Sequence, residues 1–441
     1  MKIKFLGAAG TVTGSSYALT SGSGQSILID LGMFQGVADI DRLNYEPFDY
    51  DCSRLTGVVL THAHLDHCGR LPILLPKGFK QDIWMTAPTR DLTELSLLDS
   101  ASLSKHHQKH ALFDKNLATK TIRHFKRMDY HTPVPIGDFM VTMVDAGHIL
   151  GSASLEVIDT KPNSETKKIV FSGDLGNSPE DLVCETELID SADVVIMEST
   201  YGDSLHPQED PKEIVQSEIN TVEKSGGTLL IPAFSLERTQ ELLHIIKHLK
   251  EAGKILPQTP VIMDSPMAGK ATDIYMNYPE LFNTHTQSEV RVGKAFEFPG
   301  ISYENTDHPG VRVIIAGSGM MTGGRILEHA LKNLPLATTR LLIVGYQGEG
   351  TLGRELLAGK RQVVVNGKSI SVAATIKDTQ AMSSHADQQQ LMSWLAHIKN
   401  VKRVFLTHGE DGSRATLAKE ITAKLGLGDI VLPKLNQSFD L

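Results

Sequence analysis

The stretch LTHAHLDHCG, residues 60–69, carries three histidines and an aspartate within six consecutive positions. These side chains (His62, His64, Asp66 and His67) directly follow the apolar run at residues 58–60, which is typical of a buried β-strand. Burying four such polar groups side by side without partners would be costly, so a purely structural role explains them poorly. The pattern therefore predicts a metal-binding loop at the end of a strand.

Short apolar runs alternate with helical patterns along the chain. The runs at residues 27–29, 139–144 and 169–171 are bounded by polar or turn residues, as strands usually are. Residues 237–249 and 388–398 instead repeat apolar side chains with the period of an amphipathic helix. Because strands and helices alternate, the sequence predicts an α/β protein.

Length and composition indicate a globular protein with more than one core. The chain has 441 residues, of which 41% are hydrophobic and 22% charged. No apolar run approaches the ~18 residues that span a bilayer, so we expect no membrane partner. The 3 cysteines are few and odd in number, which argues against a disulfide framework and favours a reducing compartment. We therefore expect a cytoplasmic protein.

The overall charge does not favour nucleic-acid binding through the whole electrostatic field. The 43 basic and 52 acidic residues give 43 − 52 = −9, so such binding would need a local basic face. Residues 104–127 offer one candidate, with seven Lys or Arg, four His and a single acid, Asp114. A solvated helical surface explains this stretch equally well, and both interpretations stay open.

Further residues of metal-ligand type follow other predicted strands. They are His148 in DAGHILGS, Asp174 in FSGDLGN and His408 in VFLTHGE. Because side chains just past the ends of neighbouring strands converge on one rim of a sheet, we expect these residues to join the first cluster.

The combined set exceeds what one tetrahedral metal can use, since a catalytic zinc takes three protein ligands and a water. Two metals ~3.5–4 Å apart, bridged by a carboxylate and a water, would use the whole set. We assign His62, His64 and His148 to the first metal, Asp66, His67 and His408 to the second, and Asp174 to both. Nitrogen and carboxylate ligands without thiolate favour two zinc ions, with manganese or iron as alternatives.

The motif HAHLDH, taken with His148, Asp174 and the early LIDLG around Asp30, resembles the metallo-β-lactamase superfamily. This resemblance implies an αββα sandwich with metals at the edge of its facing sheets. It also implies that Asp30 orients metal ligands from the second shell instead of binding metal itself.

Three further motifs resemble the β-CASP nucleases of that superfamily: Glu198 in MESTYGD, His385 in MSSHADQ and His408 in LTHGE. Supporting stretches extend the resemblance over nearly the whole chain: PAFSLERTQELL (232–243), DSPMAGKAT (264–272), GSGMMTGGR (317–325) and GYQGEGTLGR (345–354). The sequence is similar to bacterial and archaeal relatives of the endonuclease subunit of eukaryotic pre-mRNA 3′-end cleavage. The resemblance implies a metallo-β-lactamase domain over residues 1–201 and 377–441, interrupted by an α/β β-CASP cap over residues 202–376.

The resemblance also implies an activity, the hydrolysis of RNA phosphodiester bonds by a hydroxide that bridges two zinc ions. Asp66 would orient that water or accept its proton. His385 would be the general acid, held in the productive tautomer by Glu198. A histidine at position 408 resembles the RNA-acting branch, whereas the DNA-processing branch typically has valine there. We therefore expect an endonuclease that acts on single-stranded RNA.

Cations for the substrate phosphates would come from the cap. Arg238, Lys270 and Arg325 lie in the family-like stretches and are the candidates, although each could equally form an ion pair at a domain interface. The resemblance also allows a homodimer, which no motif of the sequence itself predicts.

Two other functions stay open. A small-molecule hydrolase of the same superfamily, acting on a thioester or a lactam, would use the same metal ligands. The inserted domain argues against this function, and so do Glu198 and His385, which lie outside the insertion. An inactive scaffold subunit of an RNA-processing complex is the second alternative. The competent side chains at every named motif position argue against that one.

Overall fold

The computed structural model describes residues 1–36, 38–48, 50–106, 111–160, 167–178, 182–303 and 310–441. The chain divides into two compact units, one formed by Met1–Leu205 with His385–Leu441 and the other by His206–Ser384. The predicted cap boundary at residue 376 falls inside a strand of the second unit, Thr375–Asp378. The predicted domain bounds otherwise stay predictions.

The strands of the described residues are short. In chain order they are β1 (Lys2–Phe5), β2 (Tyr17–Thr20), β3 (Ser26–Ile29), β4 (Leu55–Val59), β5 (Ile83–Met85), β6 (Phe125–Arg127), β7 (Val134–Ile136), β8 (Phe139–Asp145), β9 (Ala153–Asp159), β10 (Lys168–Phe171), β11 (Val194–Met197), β12 (Thr228–Pro232), β13 (Val261–Asp264), β14 (Ile301–Ser302), β15 (Arg312–Ala316), β16 (Arg340–Ile343), β17 (Gln362–Val365), β18 (Lys368–Ser371), β19 (Thr375–Asp378), β20 (Arg403–Leu406), β21 (Ile430–Val431) and β22 (Ser438–Asp440).

The α-helices vary from single turns to five turns. They are α1 (Ala38–Asp41), α2 (Leu65–Cys68), α3 (Ala87–His106), α4 (Lys115–Ile122), α5 (Pro211–Ser225), α6 (Arg238–Glu251), α7 (Pro266–Tyr275), α8 (Thr284–Arg291), α9 (Ile326–Asn333), α10 (Leu352–Leu357), α11 (Gln388–His397) and α12 (Asp411–Leu425). Short 3₁₀ helices lie at Arg42–Tyr45, Cys52–Arg54, Leu71–Lys77, Pro279–Leu281 and Gln380–Met382. Within the basic stretch 104–127, residues 107–110 lie outside the described residues. Among the described residues, no helix has the length and apolar character that crossing a membrane requires.

Two mixed seven-stranded sheets form the first unit, in the orders β22-β1-β2-β3-β4-β5-β6 and β21-β20-β11-β10-β9-β8-β7. Their inner faces pack together in one apolar core, in which the rings of Phe5 and Phe405 lie 5.0 Å apart. Helices α3 and α4 cover the outer face of the first sheet, and α11 and α12 cover the outer face of the second. The predicted αββα sandwich is therefore confirmed.

The second unit has a six-stranded sheet in the order β14-β13-β15-β12-β16-β19, in which every pair of neighbours is parallel. Its strands are apolar, and side chains such as Ile314 and Leu341 are fully or almost fully buried against α9 and α10. This burial is expected, because a parallel sheet is normally covered on its faces by helices. A hairpin of β17 and β18 completes the unit.

Gly32 holds the backbone of the histidine-rich loop in place. Around it, the amides of Leu31 and Met33 donate hydrogen bonds to the carbonyls of His67 (2.8 Å) and Leu65 (2.7 Å). A Cβ atom on Gly32 would lie only 1.4 Å from the carbonyl oxygen of Asp66. The two backbone segments can therefore approach this closely only with glycine at position 32.

Gly32→Ala is expected to lower the free energy of unfolding by about 1–3 kcal/mol, because the added methyl forces the two segments apart. Gly412→Ala is the matched control, since a Cβ atom on this glycine in α12 meets nothing within 4 Å. That substitution should be neutral or stabilise the protein by up to about 1 kcal/mol, because alanine favours helix. Urea unfolding of both variants measures the difference, and equal stabilities would contradict the packing described for Gly32.

Candidate active site

The residues predicted as metal ligands come from loops at the ends of neighbouring strands in the first unit. The loop after β4 and the short helix α2 carry the first four, and the loops after β8, β10 and β20 each carry one more. Most of these side chains are buried, and those of His62 and His148 are completely so. The structure thus brings together the following set: His62, His64, Asp66, His67, His148, Asp174 and His408.

The first group has its donor atoms close enough to share one ion. The Nδ1 atom of His64 lies 3.2 Å from Nε2 of His62 and 3.1 Å from Nε2 of His148. The Oδ2 atom of Asp174 lies 3.6 Å from the first of these Nε2 atoms and 3.7 Å from the second. Ligands about 2.0–2.1 Å from a tetrahedral zinc lie about 3.3 Å from one another, so these spacings fit such an ion.

The second group lies on the other side of Asp174. The Nε2 atom of His408 is 3.4 Å from Oδ2 of Asp66, and both residues lie close to His67. The Oδ1 atom of Asp174 is 3.3 Å from Nε2 of His67 and 3.7 Å from Nε2 of His408. One carboxylate therefore faces both groups, each through a different oxygen.

The ionisation of His64, Asp66 and Asp174 suits metal ligands, which bind as neutral imidazole and ionised carboxylate. Burial lowers the pKa of His64 to about 4 against the opposing charges of Asp66 and Asp174. Burial would raise the pKa of Asp66, but a hydrogen bond with His408 and the charge of His67 lower it to about 2. The pKa of Asp174 likewise stays well below its usual value, because the surrounding histidines outweigh the effect of burial.

Asp30 and Thr61 orient two of the imidazole rings. The Oδ2 atom of Asp30 lies 2.8 Å from Nδ1 of His67, and Oδ1 accepts the backbone N–H of Thr61 at 2.8 Å. The hydroxyl of Thr61 donates to Asp30 at 2.8 Å and lies 3.1 Å from Nδ1 of His62. Such contacts fix ring orientation, and with Nδ1 held by Asp30, Nε2 of His67 is directed to Asp174.

The surroundings of His67 favour a bound cation on its imidazole ring. Burial would lower its pKa, but the carboxylates of Asp174 and Asp30 raise it well above the usual value. The two carboxylates therefore stabilise a positive charge on this ring, whether a proton or a metal ion supplies it.

Glu198 and His385 lie beside the first group. The Oε1 atom of Glu198 is 3.3 Å from Nδ1 of His385 and accepts the backbone N–H of Leu175 at 2.7 Å. Burial would lower the pKa of His385, but the charges of Glu198 and Asp174 raise it to about 9. This geometry is what a carboxylate that orients an acidic imidazole requires, and the catalytic roles of both residues stay predictions.

Sequence reasoning missed the two threonines that support the rings. Besides Thr61, Thr200 places its hydroxyl 3.1 Å from Nδ1 of His408. Thr61 directly precedes His62, and Thr200 lies two positions after Glu198. Their proximity to predicted site residues at strand ends was the available signal, but a threonine in such a turn is common without any role in a site.

The three predicted substrate-binding cations lie in the second unit. Arg238 is buried at the start of α6 and pairs with Glu241. Arg325 is half exposed and pairs with the buried carboxylate of Asp264. Lys270 is exposed on α7. Their role in substrate binding stays a prediction, and the burial of Arg238 makes it the least accessible of the three.

Three family models match the chain in succession. The metallo-β-lactamase superfamily matches residues 9–207, the Beta-Casp domain matches residues 239–356, and a Zn-dependent metallo-hydrolase RNA specificity domain matches residues 369–433. The last match includes His385 and His408, and the first includes the other predicted metal ligands. The resemblance inferred from the motifs is confirmed.

Similar proteins match over most of their length. Ribonuclease TTHA0252 of Thermus thermophilus is 35% identical over 431 residues, which cover 95% of each chain. RNase aCSPSF2 of Saccharolobus solfataricus is 30% identical over 442 residues, covering 100% of this chain and 85% of that protein. Transcription termination factor FttA of Methanosarcina mazei is 30% identical over 451 residues, covering 96% of this chain and 69% of the factor.

A solved structure shares the fold at low sequence identity. The crystal structure of a protein of unknown function from Enterococcus faecalis V583 superposes with a TM-score of 0.53 and 12% identity, and the match covers 100% of this chain and 99% of that one. The order of the matched domains, the buried cluster of histidines and aspartates, and relatives of 30–35% identity that are matched over 85–95% of their length all point to the same family. The chain belongs to the metallo-β-lactamase superfamily, among the Zn-dependent metallo-hydrolases that carry a Beta-Casp domain.

Proposed function

We propose that this protein is a metal-dependent ribonuclease that cleaves RNA phosphodiester bonds. The observation that carries the proposal is the position of Asp174, whose two carboxylate oxygens face two separate groups of ligand-type side chains. The pair formed by His385 and Glu198 lies beside that carboxylate. Two similar proteins, matched over 95% and 85% of their length, are named as ribonucleases, which supports RNA as the substrate.

Two zinc ions are the proposed cofactors. His62, His64 and His148 would hold one ion, Asp66, His67 and His408 the other, and Asp174 would contact both. When bound, zinc supplies a Lewis acid for the phosphate oxygens and lowers the pKa of water towards neutrality.

Residues of the chain itself then carry out the proton transfers to the leaving group and from the attacking water. Asp66, ionised at neutral pH, can orient the attacking water or accept its proton. Glu198 holds Nδ1 of His385, which makes Nε2 the ring atom that passes a proton to the leaving 3′-oxygen. Because backbone amides of Leu175 and Thr200 fix the carboxylate of Glu198, the imidazole is held in one orientation.

The proposed substrate is single-stranded RNA that is cut internally and bound chiefly through its backbone. Lys270 and Arg325 are accessible cations that could contact phosphates, and Arg238 is retained as a weaker candidate. A domain family named for RNA specificity matches residues 369–433, which supports RNA over a small thioester or lactam as the substrate. A homodimer and a cytoplasmic location remain predictions.

His385→Ala is expected to slow RNA cleavage by about 10²–10⁴-fold, because the leaving group loses its general acid. The variant should keep its zinc, since His385 is not among the proposed ligands. Asp174→Ala should instead lose both zinc and cleavage. A labelled single-stranded RNA assay, run together with metal analysis by mass spectrometry, measures both properties.

His397→Ala is the matched control, because this exposed histidine of the first unit pairs with the exposed Asp190 at the surface. It should retain full activity and metal content. A lactam and a thioester substrate run alongside test the alternative function. Turnover of either one while RNA stays intact would overturn the ribonuclease proposal and leave the family assignment in place.

Asp30→Asn is expected to weaken zinc binding by about 10–100-fold, because the amide no longer offers a charged acceptor to His67. Asparagine suits this position, where the backbone has a φ of 55°, so the fold should persist. Competition with a chromophoric chelator measures the zinc affinity. An unchanged affinity would show that the contact at 2.8 Å between Asp30 and His67 does not support the site.

A further inference from the structure

A second cluster of ligand-type side chains lies in the second unit, whereas the candidate active site lies in the first. His244 and His248 are four residues apart in α6, so they lie on one face of that helix. Glu289 in α8 lies beside them. One ligand atom from its carboxylate and one from each imidazole all lie within 4.8 Å of one another.

The donor atoms of this cluster converge tightly. Nε2 of His244 lies 3.0 Å from Nε2 of His248. Oε1 of Glu289 is 3.3 Å from Nε2 of His248, and Oε2 is 3.6 Å from Nε2 of His244. Ligand atoms of a tetrahedral zinc lie about 3.3 Å apart, so the three spacings resemble those of the first group in the active site.

We propose that His244, His248 and Glu289 form a binding site for a divalent transition-metal ion, with zinc as the preferred ion. Two imidazoles and a carboxylate are the ligand set of many three-ligand zinc sites, in which water takes the fourth position. This site involves none of the residues assigned to catalysis. It does not depend on the proposed ribonuclease activity.

Burial around the cluster suits an ion that enters from solvent. The side chain of His244 is 3% exposed, whereas those of His248 and Glu289 are 31% and 22% exposed. The inner imidazole is therefore fixed by packing, while the other two ligands border solvent, which can supply a fourth, water ligand. An ion held there would tie α8 to α6.

Lys247 is the competitor for this ion. Its ammonium lies 2.6 Å from Oε2 of Glu289, and its side chain is only 5% exposed. Burial would raise the pKa of Glu289, but Lys247 and the two histidines lower it, so the carboxylate is ionised. Oε1 faces His248 and is the oxygen better placed for a metal, whereas the nearby ammonium should weaken metal binding by repulsion.

The test compares zinc content in untagged full-length chains that are stripped with chelator, reloaded with zinc chloride and measured by mass spectrometry. His248→Ala and Glu289→Gln should each bind one zinc fewer per chain than the wild type and should cleave RNA as the wild type does. Equal zinc content in the wild type and both variants would overturn the proposal. Because the comparison is a difference, it does not depend on how many ions the active site holds.

Glu251→Gln is the matched control. Its carboxylate also contacts His248 and Lys247, at 3.6 and 3.5 Å, but it approaches Nδ1 of the imidazole, on the other side of the ring from the cluster. This variant should keep the full zinc content. Loss of the ion in Glu251→Gln as well as in Glu289→Gln would indicate a general effect of charge, and the site as assigned would be wrong.

Lys247→Met tests the proposal in the opposite direction and does not remove a ligand. It keeps the buried stem and deletes the charge, so zinc should bind this site at least about tenfold more tightly. Cobalt chloride replaces zinc in the titrations, because a tetrahedral cobalt site absorbs visible light. Each titration is done in the Asp174→Ala background, in which the active site is expected to lose its metal. Unchanged cobalt affinity in Lys247→Met would overturn the proposal even if His248→Ala failed to fold.

Discussion

The carboxylate of Asp174 is the contact on which the candidate active site depends. It is 2% exposed, and its two oxygens face different sets of imidazoles. An ionised carboxylate in such a place needs hydrogen-bond donors or positive charge around it. The fold meets this requirement by ending several strands of the two facing sheets at one edge, where the histidines converge.

A network of contacts outside the ligand set keeps those histidines in place. Asp30 and Thr61 hold His67 and His62 through Nδ1, and Thr200 contacts Nδ1 of His408. Fixing one nitrogen of an imidazole determines which nitrogen remains for a metal ion. The chemistry of the site thus depends on neutral hydroxyls and one carboxylate as much as on the ligands themselves.

The alternation of strands and helices predicts the α/β class, and the clustered histidines at strand ends predict the position of the ligand cluster. The αββα sandwich, in contrast, is implied only by the resemblance of the motifs to a known superfamily. The sequence does not predict the support from Thr61, since a threonine next to a strand end has many uses. Nor does it reveal that Arg238 is buried against Glu241, because both residues fit an exposed helical turn equally well. The pair of His244 and His248 was visible as a four-residue spacing, but its partner is distant in sequence and only folding brings the helices together.

The most direct test of the central claim is a crystal structure of the zinc-loaded chain with anomalous data collected at the zinc edge. The account predicts two peaks at the edge of the sandwich, one on each side of Asp174, with Oδ2 nearer the peak beside His148 and Oδ1 nearer the peak beside His408. A single peak, or two peaks that do not share Asp174, would contradict it.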